Sequence, residues 1–179
     1  AGLSQLTLVN GERTPAIIVG VKTENRRQEI VPEAQGPRYT EEFENHGGAE
    51  AFRRFLTEEV KPLIEGRFET GPEAIMGESL AGLFVVDTFL RAPTVFDDFV
   101  AVSPSLWWDD RRLAREAPEL LVAHTDGQER RIYLSMANEG GTMQMGLDEV
   151  AAAIEAAAIE GTSLKVSDRS ETEDHSTTY

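Results

Sequence analysis

Residues 74–90 read AIMGESLAGLFVVDTFL, and this stretch decides the fold class. Its first part, Ala74–Met76, is a short apolar run that predicts a buried strand, and the run Leu80–Leu90, rich in small and apolar residues, predicts a helix. The glycine-rich segment Gly77–Gly82 lies at their junction. A buried strand that turns directly into a helix is the first half of a βαβ unit, so the stretch predicts an α/β fold.

The alternation of strand and helix continues on both sides of this stretch. Ala16–Val21 is continuously apolar and rich in β-branched residues, which is typical of a strand buried on both faces. After residues 74–90, apolar runs predict three more strands, at Phe99–Val102, Ile132–Leu134 and Ser163–Val166.

Periodic apolar residues predict helices between these strands. They are a segment from Phe52 to Ile64 that bends near Pro62, a segment after Asp110, and an Ala-rich segment from Leu147 to Glu160. Regular βαβ alternation predicts a mostly parallel sheet with helices on both faces. A chain of 179 residues is expected to form one domain, residues 1–179, and its polar tail Ser167–Tyr179 is predicted to be a loop.

Composition narrows the classes of function. The chain has 32 acidic and 17 basic residues and a formal charge of -15, which disfavours nucleic acid and anionic membrane surfaces as partners. It has no cysteine, which excludes disulfides, thiolate catalysis and cysteine-bound metals. No apolar run approaches the roughly 20 residues of a membrane span, so we expect a soluble protein, and the sequence leaves cytoplasm and periplasm equally open.

Residues 77–82, GESLAG, have the strand-to-helix setting of a nucleophile elbow. This turn is strained and needs small neighbours, which the glycines and Ala81 supply, although Ala81 stands where the motif usually has its second glycine. Ser79 is therefore the candidate nucleophile, and the N–H of Leu80 at the helix start is the candidate oxyanion donor. The motif alone leaves open that Ser79 simply caps the helix.

A serine nucleophile needs a general base, and the chain has three histidines, His46, His124 and His175. His46 and His124 lie in polar stretches, and we expect both to be solvated. His175 follows the last predicted strand, and the α/β-hydrolase order places the histidine after the nucleophile and near the C-terminus. His175 is therefore the candidate base, and the alternative is a solvated residue of the tail.

The third member of such a site is a carboxylate that fixes the histidine tautomer. Glu139, which comes just after the strand predicted around Ile132–Leu134, is the best placed. Asp174, Asp168 and Asp109 are the alternatives, because a carboxylate at a strand end is common in a chain with 32 acidic residues.

Several motifs together resemble those of a known family. They are Ile18-Val19-Gly20-Val21 followed by Asn25-Arg26-Arg27-Gln28-Glu29 and Pro32, Gly47-Gly48-Ala49 before Phe52, Phe55 and Leu56, the elbow with Leu83 and Phe84, Ser103-Pro104-Ser105-Leu106-Trp107-Trp108, and Asp174-His175-Ser176. Through them the chain resembles the putative esterase family of α/β-hydrolases, which contains enterobactin (siderophore) esterases, S-formylglutathione hydrolases and mycolyltransferases. The resemblance is closest to the siderophore-esterase branch. It implies the α/β-hydrolase fold and catalytic roles for Ser79 and His175, and it is consistent with Glu139 as the acid.

The resemblance gives two pairs of residues a second interpretation. Trp107 and Trp108 follow a strand, where aromatic residues usually pack in the core, but the family places this segment beside the active site, where either could contact an acyl group. Arg26 and Arg27 would ordinarily be solvated loop residues. The alternative is that one of them holds an anionic or carbonyl-bearing part of the substrate, and Arg26 is the candidate that we select.

The chain departs from the family pattern at both ends. Relatives carry strands before the segment where this chain begins, and one of these lies between the strands that match Ala16–Val21 and Ala74–Met76. The loop after that strand normally supplies a second oxyanion donor, and relatives also carry a helix after the histidine loop. We expect a domain incomplete at both ends. The alternatives are a strand donated by a second copy in a homo-oligomer, and direct pairing of the two strands.

Together these residues predict a serine carboxylic-ester hydrolase that acts on a small-molecule ester through an acyl-enzyme on Ser79, without a metal or other cofactor. Acyl transfer to an alcohol uses the same residues and is the nearest alternative. A non-catalytic binding domain that keeps the elbow as a scaffold is the other alternative, which Ala81 and the missing strands favour.

Overall fold

The computed structural model describes residues 7–9, 12–14 and 16–177. Its strands are β1 (Thr7–Val9), β2 (Glu12–Thr14), β3 (Ala74–Glu78), β4 (Asp98–Val102), β5 (Arg130–Met136) and β6 (Thr162–Asp168). Its α-helices are α1 (Arg26–Ile30), α2 (Pro37–Glu42), α3 (Ala49–Phe55), α4 (Lys61–Glu65), α5 (Leu80–Arg91), α6 (Trp108–Leu121) and α7 (Gly141–Ala157). A π-helical turn, Leu56–Val60, joins α3 to α4, and a 3-10 turn, Pro93–Val95, follows α5.

Strands β3 to β6 form a four-stranded parallel sheet in the order β3-β4-β5-β6. Gly77 pairs with Ala101 and Ala101 pairs with Leu134, so the carboxyl ends of these strands lie at one edge of the sheet. Each parallel connection crosses over through a helix, α5, α6 and α7 in turn. The predicted parallel α/β arrangement is therefore confirmed.

The sheet and α5 build the core. Phe99 and Ala101 on β4, and Ile132 and Leu134 on β5, expose at most 1% of their surface. In α5 every residue from 82 to 90 is buried, as expected for a helix that is apolar around most of its circumference. Because α5 begins directly after Ser79, this rigid core fixes the position of the candidate nucleophile.

Ala16–Val21 is not a strand, contrary to the prediction. It is irregular, and Ile18 and Val21 expose 57% and 39% of their surface. A strand needs a neighbour that satisfies its backbone hydrogen bonds, and none of the described residues pairs with the outer edge of β3. Direct pairing of this segment with β3 is therefore also wrong. The segment before it holds β1 and β2, which pair antiparallel with each other and which the sequence did not indicate.

Helix boundaries differ from the predictions where local geometry intervenes. In the helix predicted from Phe52 to Ile64, the irregular turn is Leu56–Val60, which directly precedes Pro62, a residue that has no N–H to donate to the preceding turn. Helix α7 begins at Gly141 and ends at Ala157, earlier at both ends than predicted. Of the predicted tail, Ser167 and Asp168 belong to β6, and residues 178–179 lie outside the described residues.

Within the part of the chain that the structure describes, no helix combines the length and the apolar character that crossing a membrane requires.

Candidate active site

Ser79 lies in the tight turn between β3 and α5, with φ 59° and ψ -119°. This conformation is rare for a residue with a side chain and costs on the order of 1–3 kcal/mol, so the surroundings must hold it. The Ser79 N–H donates to the carbonyl of Val102 at 3.0 Å, and the Ser79 carbonyl accepts from the N–H of Leu83 at 2.9 Å. The Ser79 hydroxyl makes no capping hydrogen bond to α5, so the capping interpretation is wrong.

Close contact between the strand and the helix explains the small residues of the elbow. A Cβ on Gly77 would lie 2.4 Å from the carbonyl oxygen of Ala81 and 2.9 Å from its Cβ. A Cβ on Gly82 would lie 3.0 Å from the carbonyl oxygen of Val102. Glycine is therefore required at positions 77 and 82, and glycine at 77 leaves the room that alanine uses at 81.

Gly77→Ala should therefore push α5 away from β3. We expect a loss of about 2 kcal/mol or more in the free energy of unfolding, since overpacking in a rigid turn moves the backbone. Gly71→Ala is the matched control, because a Cβ on Gly71 meets nothing within 4 Å. Thermal unfolding measures the difference, and equal melting temperatures for the two variants would contradict the steric account.

His175 bridges Ser79 and Glu139. Its Nε2 lies 3.1 Å from Ser79 Oγ, and its Nδ1 lies 2.6 Å from Glu139 Oε1. The three residues follow β3, β5 and β6 respectively, so all three come from the carboxyl edge of the parallel sheet, where ligand and catalytic sites of open α/β sheets lie. The structure thus brings these three sequence-predicted residues together in the geometry of a nucleophile, a base and an orienting acid.

Glu139 is held beside the histidine with 9% of its side chain exposed. Burial alone would raise its pKa, but the nearby Ser103 hydroxyl and the hydrogen bond to His175 outweigh burial, and the pKa of Glu139 lies below its ordinary value. Its other oxygen, Oε2, is buried and makes no hydrogen bond of normal geometry within the described residues. The contact through Oε1 to His175 is therefore the main one that orients this carboxylate, and the site favours its ionised form.

The other three candidate acids have different partners. Asp174 accepts from the N–H of Ser176 at 2.9 Å and closes a turn around His175. Asp168 accepts from the N–H of Ser170 at 2.8 Å. Asp109 is buried and accepts from the backbone N–H groups of Gln35 and Gly36 at 2.9 and 2.8 Å. Of the four candidates, Glu139 is the one that contacts a ring nitrogen of His175.

His46 and His124 are not solvated, contrary to the prediction. His124 is 5% exposed, its Nε2 lies 3.1 Å from the carbonyl oxygen of Leu90, and its ring packs edge-on against Phe89. His46 is half-buried, and its Nδ1 accepts from the N–H of Ala34 at 3.3 Å. Both polar stretches fold back onto the core, so their histidines pack against core residues, His46 against Trp108 and His124 against Phe89.

The N–H of Leu80 lies in the first turn of α5, where backbone donors have no partner within the helix. It makes no hydrogen bond to any other group in the described part of the chain. Because Leu80 directly follows Ser79, this N–H is available to an oxyanion formed on a group bound to Ser79.

Two charged residues, Arg26 and Glu78, lie near Ser79. Arg26 Nη2 donates to the carbonyl of Glu78 at 2.6 Å, and 47% of the Arg26 side chain is exposed. Glu78 Oε1 lies 3.4 Å from His175 Nε2. The structure therefore places Arg26, a sequence-predicted substrate residue, next to the nucleophile, whereas the Arg27 guanidinium stacks over the ring of Phe43.

The two tryptophans have different environments. Trp108 is 3% exposed, and its indole N–H donates to the carbonyl of Pro32 at 3.0 Å. Of the two interpretations of Trp108, packing in the core is therefore correct, because almost none of its side chain is exposed to a substrate. Trp107 is half-buried and, with Tyr39 and Phe43, lines a cavity of about 230 Å³ whose lining includes none of Ser79, Glu139 and His175.

Sequence reasoning missed two residues that contact the site, Glu78 and Ser105. Glu78 occupies the unspecified position of the elbow motif, between Gly77 and Ser79, so the motif gives it no role. Ser105 follows β4, the neighbour of β3 in the sheet, and its Oγ lies 3.3 Å from Ser79 Oγ. The available signal was its position: a polar residue after the strand beside the elbow strand is brought to the same edge of the sheet.

In comparisons with known proteins, a family model described as Putative esterase matches residues 4–178. The siderophore enterobactin esterase of Emericella nidulans is 38% identical over 87 residues, which are 46% of this chain and 29% of the relative. The ferri-bacillibactin esterase BesA of Bacillus subtilis is 38% identical over 109 residues, which are 53% of this chain and 38% of the relative.

Among solved structures, the siderophore hydrolase EstB from Aspergillus nidulans matches with a TM-score of 0.69 and 25% sequence identity, covering 85% of this chain and 60% of EstB. The chain therefore spans less than two thirds of each of these three proteins.

Proposed function

Because the chain belongs to the Putative esterase family and has the α/β-hydrolase fold, we propose that it is a serine esterase that hydrolyses carboxylic esters through an acyl-enzyme on Ser79. The observation that carries this proposal is His175, whose two ring nitrogens lie within hydrogen-bond distance of Ser79 Oγ and Glu139 Oε1. A general base must reach the proton that it removes, and His175 does. A serine that only shaped the turn would need neither partner.

In the first half-reaction, Ser79 Oγ attacks the ester carbonyl carbon while its proton moves to His175 Nε2. The resulting imidazolium is stabilised at Nδ1 by the Glu139 carboxylate. The Leu80 N–H donates to the carbonyl oxygen as that oxygen becomes negative. When the tetrahedral intermediate collapses, the leaving alkoxide takes the proton from Nε2, and the acyl group stays on Ser79.

In the second half-reaction, a water molecule attacks the acyl carbon and gives a proton to His175 Nε2. The bond to Ser79 Oγ then breaks, Oγ regains that proton, and the carboxylic acid leaves. Glu139 stays ionised throughout, which its lowered pKa favours. Glu78, 3.4 Å from Nε2, adds a second carboxylate that stabilises the imidazolium.

For the substrate we propose a small-molecule ester of the siderophore class, a choice supported by the names of the relatives described above. Arg26 is half-exposed beside the elbow and can donate to a carbonyl or anionic group of that substrate. The cavity that Trp107 lines does not include Ser79, so we propose no contact between Trp107 and the acyl group.

The proposal predicts that the purified protein hydrolyses a short p-nitrophenyl ester and reacts with a fluorophosphonate. An activated serine reacts with such a probe, and mass spectrometry should locate the label on Ser79. An enterobactin-type trilactone, followed by chromatography of its products, tests the substrate class separately. Absence of both turnover and labelling would contradict esterase activity, whereas labelling without trilactone cleavage would overturn the substrate class alone.

A further inference from the structure

Ser105 is joined to Ser79 by two contacts. Its backbone N–H donates to the carbonyl of Ser79 at 3.0 Å, and its Oγ lies 3.3 Å from Ser79 Oγ. Ser105 is 2% exposed, so water does not compete for its hydroxyl. Within the described residues, Ser79 Oγ is the one hydrogen-bond partner of Ser105 Oγ.

The direction of the hydroxyl contact follows from counting protons. Glu139 is ionised and accepts the proton on His175 Nδ1, so the neutral ring has a lone pair on Nε2. The single proton of Ser79 is then donated to Nε2, and Ser79 Oγ has no second proton to give. The hydroxyl between the two serines must therefore belong to Ser105, which donates to a lone pair of Ser79 Oγ.

We propose that Ser105 is a positioning residue for the nucleophile, whose hydroxyl holds Ser79 Oγ in the rotamer that meets His175 and stabilises the negative charge that develops on that oxygen. This inference rests on the proposed esterase mechanism. A serine side chain has three staggered rotamers, and a donor on the core side of Oγ selects among them. The other lone pair of Oγ remains free to attack.

The contact acts in both half-reactions. Charge develops on Ser79 Oγ as its proton leaves during acylation, and again as the acyl carbon–oxygen bond breaks during deacylation. Ser105 keeps its own proton throughout and forms no bond to substrate. The separation of 3.3 Å is longer than an optimal hydroxyl pair and is expected to shorten as the acceptor gains charge. Loss of the contact should therefore lower both kcat and kcat/KM, and KM stays unchanged where the two half-reactions are slowed by the same factor.

Ser105→Ala should lower kcat for a p-nitrophenyl ester about 10-fold, the value of one hydrogen bond to a partly charged oxygen, and should slow fluorophosphonate labelling of Ser79 by the same factor. Ser105→Cys is the conservative partner, because a thiol is nearly isosteric and a weak donor, and it should show a similar loss. Thr88→Val is the matched control. It removes another buried hydroxyl, the partner of Arg53 Nε, near the far end of α5, and should lower stability without lowering kcat.

A wild-type kcat in folded Ser105→Ala would overturn the proposal. If that variant does not fold, Ser105→Cys decides, and a wild-type kcat in Ser105→Cys would overturn the proposal equally. A wild-type rate of fluorophosphonate labelling in the variant would also overturn it, because the Ser105 hydroxyl would then not act on Ser79 Oγ. Failure of the esterase mechanism itself looks different: Ser79→Ala would retain turnover whatever happens at Ser105.

Discussion

Ser79→Ala should lower kcat for a p-nitrophenyl ester by a factor on the order of 10⁶ and abolish fluorophosphonate labelling. Alanine leaves no oxygen with which to form the acyl-enzyme, and the base has nothing to deprotonate. The fold should survive, because the Ser79 hydroxyl makes no capping hydrogen bond and its contacts are to His175 and Ser105 at the partly exposed site.

Ser163→Ala is the matched control for this experiment, since Ser163 is exposed on β6 and lies outside the site. Circular dichroism and thermal unfolding should give similar results for both variants and for the wild type. Turnover by Ser79→Ala within about 10-fold of the Ser163→Ala rate would remove Ser79 from the mechanism.

The elements around Ser79 could be predicted because their signals are local. The apolar run of β3, the glycines of the elbow and the length of α5 are adjacent in sequence, and each favours the same structure. The steric reason for Gly77 and Gly82 could not be seen in advance, since it depends on how closely α5 approaches β3 and the segment after β4.

The segment Ala16–Val21 shows the limit of such local signals. Its composition favours a strand, but strands are stabilised by a neighbour across the sheet, which periodicity within one segment does not reveal. In the described residues it has no such neighbour, and its apolar side chains stay exposed. Pairing in the sheet therefore overrides the propensity of the segment.

The acid could be proposed from the sequence but not chosen. Glu139 and Asp174 both come from loops after strands, and the sequence does not show which carboxylate points toward the imidazole. The tertiary structure separates them, because Asp174 is engaged in a turn while Glu139 reaches Nδ1 from the loop after β5. Trp107 and Trp108 were equally ambiguous, since side chains of adjacent residues leave the backbone in different directions.

The second large effect is expected at Glu139. Glu139→Gln should lower kcat on the order of 10⁴-fold, because an amide can donate to Nδ1 and so favour the tautomer whose proton is on Nε2, where Ser79 must deliver its own. The change is nearly isosteric, so the geometry of the site should persist. Asp174→Asn is the matched control, since asparagine also closes the turn before His175 and should change kcat little.

The pH dependence of stability supplies an independent readout for Glu139. Its pKa in the folded protein lies below the ordinary value, so its carboxylate stabilises the fold fully above about pH 4.3, and this contribution is lost as the pH falls through the folded value. Urea unfolding at pH 7 and pH 3 should therefore show a larger acid-induced loss for the wild type than for Glu139→Gln. If Glu139→Gln showed the wild-type acid dependence and the activity of Asp174→Asn, Glu139 would not be the orienting acid.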